Sequence, residues 1–140
     1  MKTWLFVFLA LVLPPDFERV ADSRQEVPGL IPGTTVTEHQ MSWRNGQGAQ
    51  LHAFYWKPYP PRPGGPMVSE EEWEDKFCGL EVKVIRASQF LGSSTPALVT
   101  HLRLSQPECV IMLYTRDLDR ETFHDILSRA RWEGEMTPLQ

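Results

Sequence analysis

The chain is organised around three apolar runs: FCGLEVKVIRAS (77–88), PALVTHLRLS (96–105) and ECVIMLYTR (108–116). All three are rich in Val, Ile and Leu and are bounded by turn residues, which is typical of β-strands. The third run is apolar on both faces, with Cys109 on one face and Val110 on the other. A strand without a polar face is usually central in its sheet and covered on both sides. The sequence therefore predicts a β-sheet with the third run in its interior.

A further pair of strands is predicted upstream of these runs. The segment 34–44 begins with β-branched residues, and 50–57 is rich in aromatic side chains. Between them lies Asn45-Gly46, the strongest short-range signal for a two-residue hairpin turn. We therefore expect a hairpin with Asn45-Gly46 at its tip.

Two helices are also predicted. The first covers about 70–76, because Ser69 and Glu72 have the spacing of a capping box. The second covers about 120–132, because Asp119 can cap it and apolar residues follow at helical spacing. These apolar residues are Phe123, Ile126, Leu127 and Ala130. The predicted fold class is α+β: a small antiparallel, sandwich-like β-sheet of about five strands, with the short helix near 70–76 and the C-terminal helix packed on the sheet.

The first residues have the pattern of a secretory signal peptide. Lys2 precedes the apolar run 4–13, whose ten residues are too few to span a bilayer as a helix. Small residues at Ala21 and Ser23 suit cleavage, which gives 1–23 as the signal peptide. The alternative is that the run 4–13 is a buried N-terminal strand.

If residues 1–23 are removed on export, the remaining chain is predicted to have three parts. Residues 24–33 are punctuated by Pro and Gly and are predicted to be an extended lead-in. Residues 34–134 are expected to form a single globular domain, and 135–140 a frayed tail. Because no second hydrophobic span follows, no membrane span is predicted and the expected location is extracellular.

Composition excludes several function classes. A chain of 140 residues is long enough for one domain. Its formal net charge of −4 gives no electrostatic reason to expect nucleic acid as a partner. Two cysteines are too few for a disulfide scaffold or a four-thiolate zinc site.

Cys78 and Cys109 are predicted to form one disulfide bond, because a secreted chain matures in an oxidising compartment. The runs 97–105 and 109–115 are expected to form a hairpin. If the first of these strands lay between the cysteines in one sheet, they would be about 9.6 Å apart, two strand spacings. A disulfide tolerates roughly 7 Å between Cα atoms. The bond therefore requires 80–87 to lie directly beside 109–115 or to face it from a second sheet.

His39 and His52 are the histidines that could share a metal ion. With a two-residue turn at Asn45-Gly46 they lie directly opposite each other, about 4.5–5.5 Å apart at Cβ. Zinc needs three or four protein ligands, and no carboxylate is near on that face. An aromatic packing face is therefore the favoured interpretation, and no metal or cofactor is predicted.

The predicted function is that of a secreted, non-enzymatic protein that binds another protein or a receptor. No Gly-x-Ser-x-Gly motif or other catalytic signature occurs. The Pro-rich segment 57–66 is expected to be a stiff surface loop, because proline lacks a backbone donor and favours polyproline II. Tyr59 and Arg62 in this loop are the candidate partner contacts.

Two alternative functions remain. The first is a carrier of a small apolar ligand, which requires a continuous cavity lined by residues such as Phe54, Met112 and Phe123. The second is a metal-dependent enzyme that uses His39 and His52.

Overall fold

The computed structural model describes residues 1–61 and 67–139. This part of the chain forms eleven strands and one helix. In chain order the elements are β1 (Lys2–Phe6), β2 (Leu9–Leu13), β3 (Glu18–Pro28), β4 (Thr35–Arg44), β5 (Gln50–Lys57), β6 (Met67–Phe77), β7 (Leu80–Phe90), β8 (Ala97–Gln106), β9 (Glu108–Arg116), α1 (Arg120–Arg129), β10 (Arg131–Trp132) and β11 (Thr137–Pro138). The protein is therefore nearly all β, and the α+β prediction of five strands and two helices is wrong.

The main sheet is antiparallel and has the order β3-β4-β5-β9-β8-β7-β6, with β11 paired to β8. A smaller antiparallel sheet has the order β1-β2-β10. In the main sheet β9 lies between β5 and β8, and its residues from Cys109 to Thr115 are buried. The predicted interior position of this strand and its hairpin with β8 are confirmed.

One face of the main sheet is covered by the small sheet and by α1. Phe6, Leu9 and Leu11 of the small sheet are fully buried in the same cluster as sheet residues such as Trp43 and Ile111. The helix adds the predicted stripe Phe123, Ile126 and Leu127, each at most 1% exposed. Burial of these side chains is the main stabilising term available to this layer. We call this the covered face.

The opposite face of the main sheet has its own apolar cluster, built by side chains of the sheet itself. Val99, Val110 and Met112 lie at its centre, each at most 1% exposed. Phe54 and Trp56 stack with ring centroids 5.1 Å apart and help to shield it. We call this the second face.

The helix predicted near 70–76 is strand β6, which pairs antiparallel with β7. The β6–β7 hairpin turns at Cys78-Gly79, which take φ values of 54° and 76°, as a two-residue hairpin turn requires. Trp73 and Phe77 are four residues apart, a spacing that places two side chains on one face of a helix and also on one face of a strand. The spacing therefore could not distinguish the two structures.

The hairpin of β4 and β5 exists, but its register differs from the prediction. The connection is the five-residue loop 45–49, since Arg44 pairs with Gln50. The Asn45 side chain accepts hydrogen bonds from the N–H groups of Gln47 and Ala49, at 3.0 and 2.9 Å, and so stabilises the longer loop. A shift by an odd number of residues reverses which face each side chain occupies.

The N-terminal segment is part of the folded body in this structure. Residues of 1–23 form β1, β2 and the start of β3. The lead-in 24–33 continues β3 as far as Pro28, and β11 adds residues of the expected tail to the edge of β8. Cleavage after Ser23 stays a prediction. Among the described residues, no helix is long and apolar enough to cross a membrane.

Candidate functional site

The ladder between β7 and β8 stops before either strand ends. Its pairs run from Ala87–Ala97 to Val84–Thr100. β7 begins four residues earlier, at Leu80, and β8 continues to Gln106. The two strands therefore separate and enclose a slot between them.

The slot is a cavity of about 800 Å³. It is lined by Leu80, Glu81, Val82, Lys83, His101, Leu102, Arg103, Pro138 and Leu139. Leu80, Val82 and Leu102 belong to the covered face and pack against its core. Glu81, Lys83 and Arg103 alternate with them and are exposed on the second face. The slot thus has one apolar wall and one charged wall.

The β7 side of the slot presents backbone hydrogen-bonding groups. In an antiparallel strand, successive residues direct their N–H and C=O groups to opposite neighbours. Phe77 and Leu80 close the β6–β7 hairpin, so Leu80 and Val82 direct these groups to β6. Glu81 and Lys83 consequently direct theirs into the slot. β7 therefore offers an edge to which a further strand could pair.

The closed end of the slot is defined by a side chain. The Thr100 hydroxyl donates a hydrogen bond of 2.9 Å to the carbonyl of Lys83, where a backbone N–H would continue a regular ladder. Thr100 is fully buried. This bond satisfies the last carbonyl before the strands separate.

The open end of the slot holds the tail of the chain. In β11, Thr137 pairs with Gln106 and Pro138 with Leu104. The N–H of Leu139 donates a 3.0 Å hydrogen bond to the carbonyl of Arg103. An extended segment is therefore already seated beside β8, at the entrance of the slot.

The predicted contact residue Tyr59 lies near this entrance. Its hydroxyl donates a 2.6 Å hydrogen bond to the carbonyl of Leu104, and the Arg103 guanidinium lies 6.0 Å from its ring centroid. The other predicted contact, Arg62, lies outside the described residues. A partner-binding role for both residues stays a prediction.

Cys78 and Cys109 are not bonded to each other. β8 lies between β7 and β9, which is the arrangement that places the cysteines too far apart for a disulfide. Burial raises the pKa of Cys78 to about 12 and, as the main cause, that of Cys109 to about 11. Both thiols are therefore protonated and weakly nucleophilic at neutral pH. The predicted disulfide is wrong for this structure.

His39 and His52 lie on opposite faces of the sheet and cannot share a metal ion. His39 pairs with Tyr55, and its ring centroid lies 4.9 Å from that of Phe6 in β1, on the covered face. His52 pairs with Ser42, and its ring stacks on Tyr114 of the second face with the ring centroids 4.5 Å apart. Among the described residues, no group of three or more metal-ligating side chains is present.

His52 is held in a neutral, packed state. Its Nε2 donates to Gln50 at 2.9 Å, and its Nδ1 accepts from the Ser42 hydroxyl at 2.7 Å. Burial, followed by the charges of Arg116 and Arg44, lowers the pKa of His52 to about 4. Ser42 is only 3% exposed, so this Ser–His pair is closed to a substrate.

A second histidine–carboxylate pair joins α1 to β6. His124 Nδ1 lies 2.9 Å from both carboxylate oxygens of Asp75, and this hydrogen bond raises the pKa of His124. The adjoining cavity of about 470 Å³ is lined by Trp73, Glu74, Asp75, Arg120, Glu121 and His124. The described lining residues of this cavity include no Ser, Thr or Cys.

Sequence reasoning missed the slot. The run 77–88 is typical of a strand, but nothing in its residues shows where its ladder with the next strand ends. Comparisons of the chain with protein-family models, with curated proteins and with solved structures found no match.

Proposed function

We propose that the protein is a non-enzymatic binding protein that takes up an extended segment of a partner protein by β-strand addition in the slot between β7 and β8. The observation that carries this proposal is the early end of their ladder at Val84 and Thr100. Main-chain hydrogen bonds supply affinity in this mode of recognition, and pockets for alternate side chains supply specificity.

The two walls of the slot define the chemistry of the partner segment. Side chains of a strand alternate between its two faces. Those that face Val82 and Leu102 would be apolar, because these residues are only 8% and 5% exposed. Those on the other face would be polar, because they meet Lys83 and Arg103. The partner segment therefore alternates apolar and polar residues.

The tail supports this mode of binding. Leu139 bonds the Arg103 carbonyl in the manner of a paired strand. The partner segment would extend or replace this short pairing. The proposal is also compatible with a contact to Tyr59, which lies beside Arg103.

The carrier alternative has less support. Met112 belongs to the second face and Phe123 to the covered face, so they cannot line one cavity. The enzyme alternative with His39 and His52 requires the two imidazoles on one face, and they lie on opposite faces.

Export of the protein remains a prediction from the apolar run 4–13. Phe6, Leu9, Leu11 and Leu13 of this run are fully buried in the structure. A protein cleaved after Ser23 would lack these side chains, so the proposed binding activity is assigned to the chain that retains them.

The proposal is tested with displayed linear peptides of about ten residues, enough to span a strand. Selection on the full chain should enrich segments with alternating apolar and polar residues. A synthetic copy should bind, and N-methylation of its alternate amides should weaken binding at least about tenfold, because strand pairing needs those donors. Equal binding of the N-methylated and unmodified peptides would contradict strand addition.

A further inference from the structure

A second cavity, of about 380 Å³, lies between the tip of the N-terminal hairpin and the outer part of the main sheet. It is lined by Val7, Arg24, Thr37, His39, Tyr55 and Lys57. Its volume is within the range of small-molecule sites, about 300–1,000 Å³. It is separate from the slot, which lies between β7 and β8.

Strand register brings the polar side chains of this cavity together. Arg24 of β3 pairs with His39 of β4, which in turn pairs with Tyr55 of β5. Thr37 and Lys57 pair two positions further along the same ladder of β4 and β5, and so lie on the same face as His39 and Tyr55. Arg24 and Tyr55 are thus about 9.6 Å apart, two strand spacings. A small polar head group placed between them can reach both.

The described residues that line the cavity include two cationic side chains, Arg24 and Lys57, and no carboxylate. Asp22 binds His39 Nε2 at 2.8 Å, and Glu26 accepts a 2.9 Å hydrogen bond from the Thr37 hydroxyl. Within residues 1–61 and 67–139, neither Arg24 nor Lys57 forms an ion pair. The carboxylates of Asp22 and Glu26 thus lie next to the cavity but bond His39 and Thr37, and neither pairs with the two lining cations.

Tyr55 provides a hydrogen-bond donor beside these cations. Its side chain is 7% exposed, and burial is the main cause that raises its pKa to about 12. The hydroxyl therefore keeps its proton at neutral pH. An anionic oxygen between Arg24 and Tyr55 would accept one charge-assisted and one neutral hydrogen bond.

Val7 supplies an apolar part of the lining. Val7 belongs to the turn of the β1–β2 hairpin and has a φ of 55°, which is rare for a β-branched residue. The ring of Phe6 packs on His39, and the Tyr55 ring forms part of the lining. The lining therefore combines two cations with the apolar side chain of Val7 and the ring of Tyr55.

We propose that this cavity binds a small organic anion, whose carboxylate or phosphate group contacts Arg24, Lys57 and Tyr55 and whose apolar body contacts Val7. The hairpin turn closes the site, so the site exists only in the chain that retains its N-terminal segment. This function goes beyond the binding of a partner strand, and each can fail without the other.

Isothermal titration of the full chain with benzoate and with phenyl phosphate tests the proposal. We expect saturable binding of at least one probe, and the tighter probe identifies the anionic group as a carboxylate or a phosphate. Arg24→Gln and Lys57→Gln should each weaken binding about tenfold, the usual effect of losing one charge-assisted hydrogen bond. Arg24→Lys should recover part of the loss.

Arg44→Gln is the matched control, because it removes the same charge from the far end of β4. It should leave the affinity unchanged. Unfolding temperatures of all variants show whether each protein is folded. Absence of saturable binding up to about 10 mM of both probes would overturn the proposal. Equal affinity of the wild type and the folded Arg24→Gln/Lys57→Gln double variant would also overturn it.

Discussion

The hydroxyl of Thr100 donates a 2.9 Å hydrogen bond to the carbonyl of Lys83 at the point where the ladder between β7 and β8 ends. Because Thr100 is fully buried, this bond substitutes for the next backbone hydrogen bond of the ladder. It fixes the closed end of the slot.

Thr100→Val is expected to destabilise the protein by about 1–2 kcal/mol, since it leaves the Lys83 carbonyl without its donor while keeping the side-chain shape. Chemical denaturation measures the loss. Thr100→Ser retains the hydroxyl but removes a buried methyl group, which alone costs about 0.8 kcal/mol, and it measures that packing contribution separately. A loss below about 0.5 kcal/mol for Thr100→Val would mean that the hydroxyl is not a stabilising group.

Leu127→Ala is expected to destabilise the protein by about 2–5 kcal/mol, the range for a fully buried leucine. The cause is loss of packing between α1 and the covered face. The exposed residue Asp125, on the same helix, supplies the control substitution Asp125→Ala, which should change stability by less than about 0.5 kcal/mol. A similar small effect for Leu127→Ala would mean that this face of the helix is not packed.

Stability should fall as the pH is lowered from about 6.5 to about 4. The unfolded chain binds a proton at His52 in this window, whereas the folded protein, with its pKa lowered to about 4, does not. The expected loss is about 1–3 kcal/mol, after allowance for partial solvent screening. Denaturation at several pH values measures it.

His52→Gln isolates this effect. The raised pKa of His124 contributes a pH dependence of opposite sign, but this contribution is present in both proteins and cancels in their difference. The glutamine variant should therefore lose less stability than the wild type on acidification. Identical pH profiles would show that His52 is not held neutral.

The central strand β9 and the helix α1 could be predicted from sequence. The run 108–116 is apolar on both faces, and this pattern fits a strand with neighbours on both sides and layers on both faces. Phe123, Ile126 and Leu127 follow the helical period, which no strand shares. In both cases the local pattern and the tertiary environment agree.

The edge strand β6 could not be recognised by the same reasoning. Its acidic residues and Ser69 are typical of a helix N-terminus, and Trp73 and Phe77 suit either periodicity. The segment is a strand because it pairs with β7 across the Cys78-Gly79 turn. The tertiary contact thus overrode the local preference.

The slot and the anionic-ligand cavity depend on register, which sequence patterns fix poorly. A two-residue turn at Asn45-Gly46 would have placed His39 opposite His52. The observed loop 45–49 instead places His39 beside Tyr55, and the separate register of β3 and β4 places it beside Arg24. The length of the 45–49 loop therefore decides which β5 side chains join His39 in the cavity.

Deletion of residues 1–23 is expected to abolish cooperative thermal unfolding, because it removes Phe6, Leu9, Leu11 and Leu13 from the core of the covered face. Each large apolar side chain of this kind contributes about 1.5–3 kcal/mol when fully buried. Scanning calorimetry of the shortened chain measures whether a cooperative thermal transition remains. A cooperative transition in the shortened chain would favour the signal-peptide prediction and contradict the core described above.

Amide hydrogen exchange at Glu81 and Lys83, with and without a selected peptide, is the direct test of strand addition in the slot. We predict that the peptide slows exchange of both amides at least about tenfold, because their N–H groups become strand donors. The Val82 amide already bonds β6 and should change little. Deletion of 136–140 should leave this protection in place or increase it, since the tail competes for β8. Protection confined to another edge, with unchanged exchange at Glu81 and Lys83, would contradict strand addition between β7 and β8.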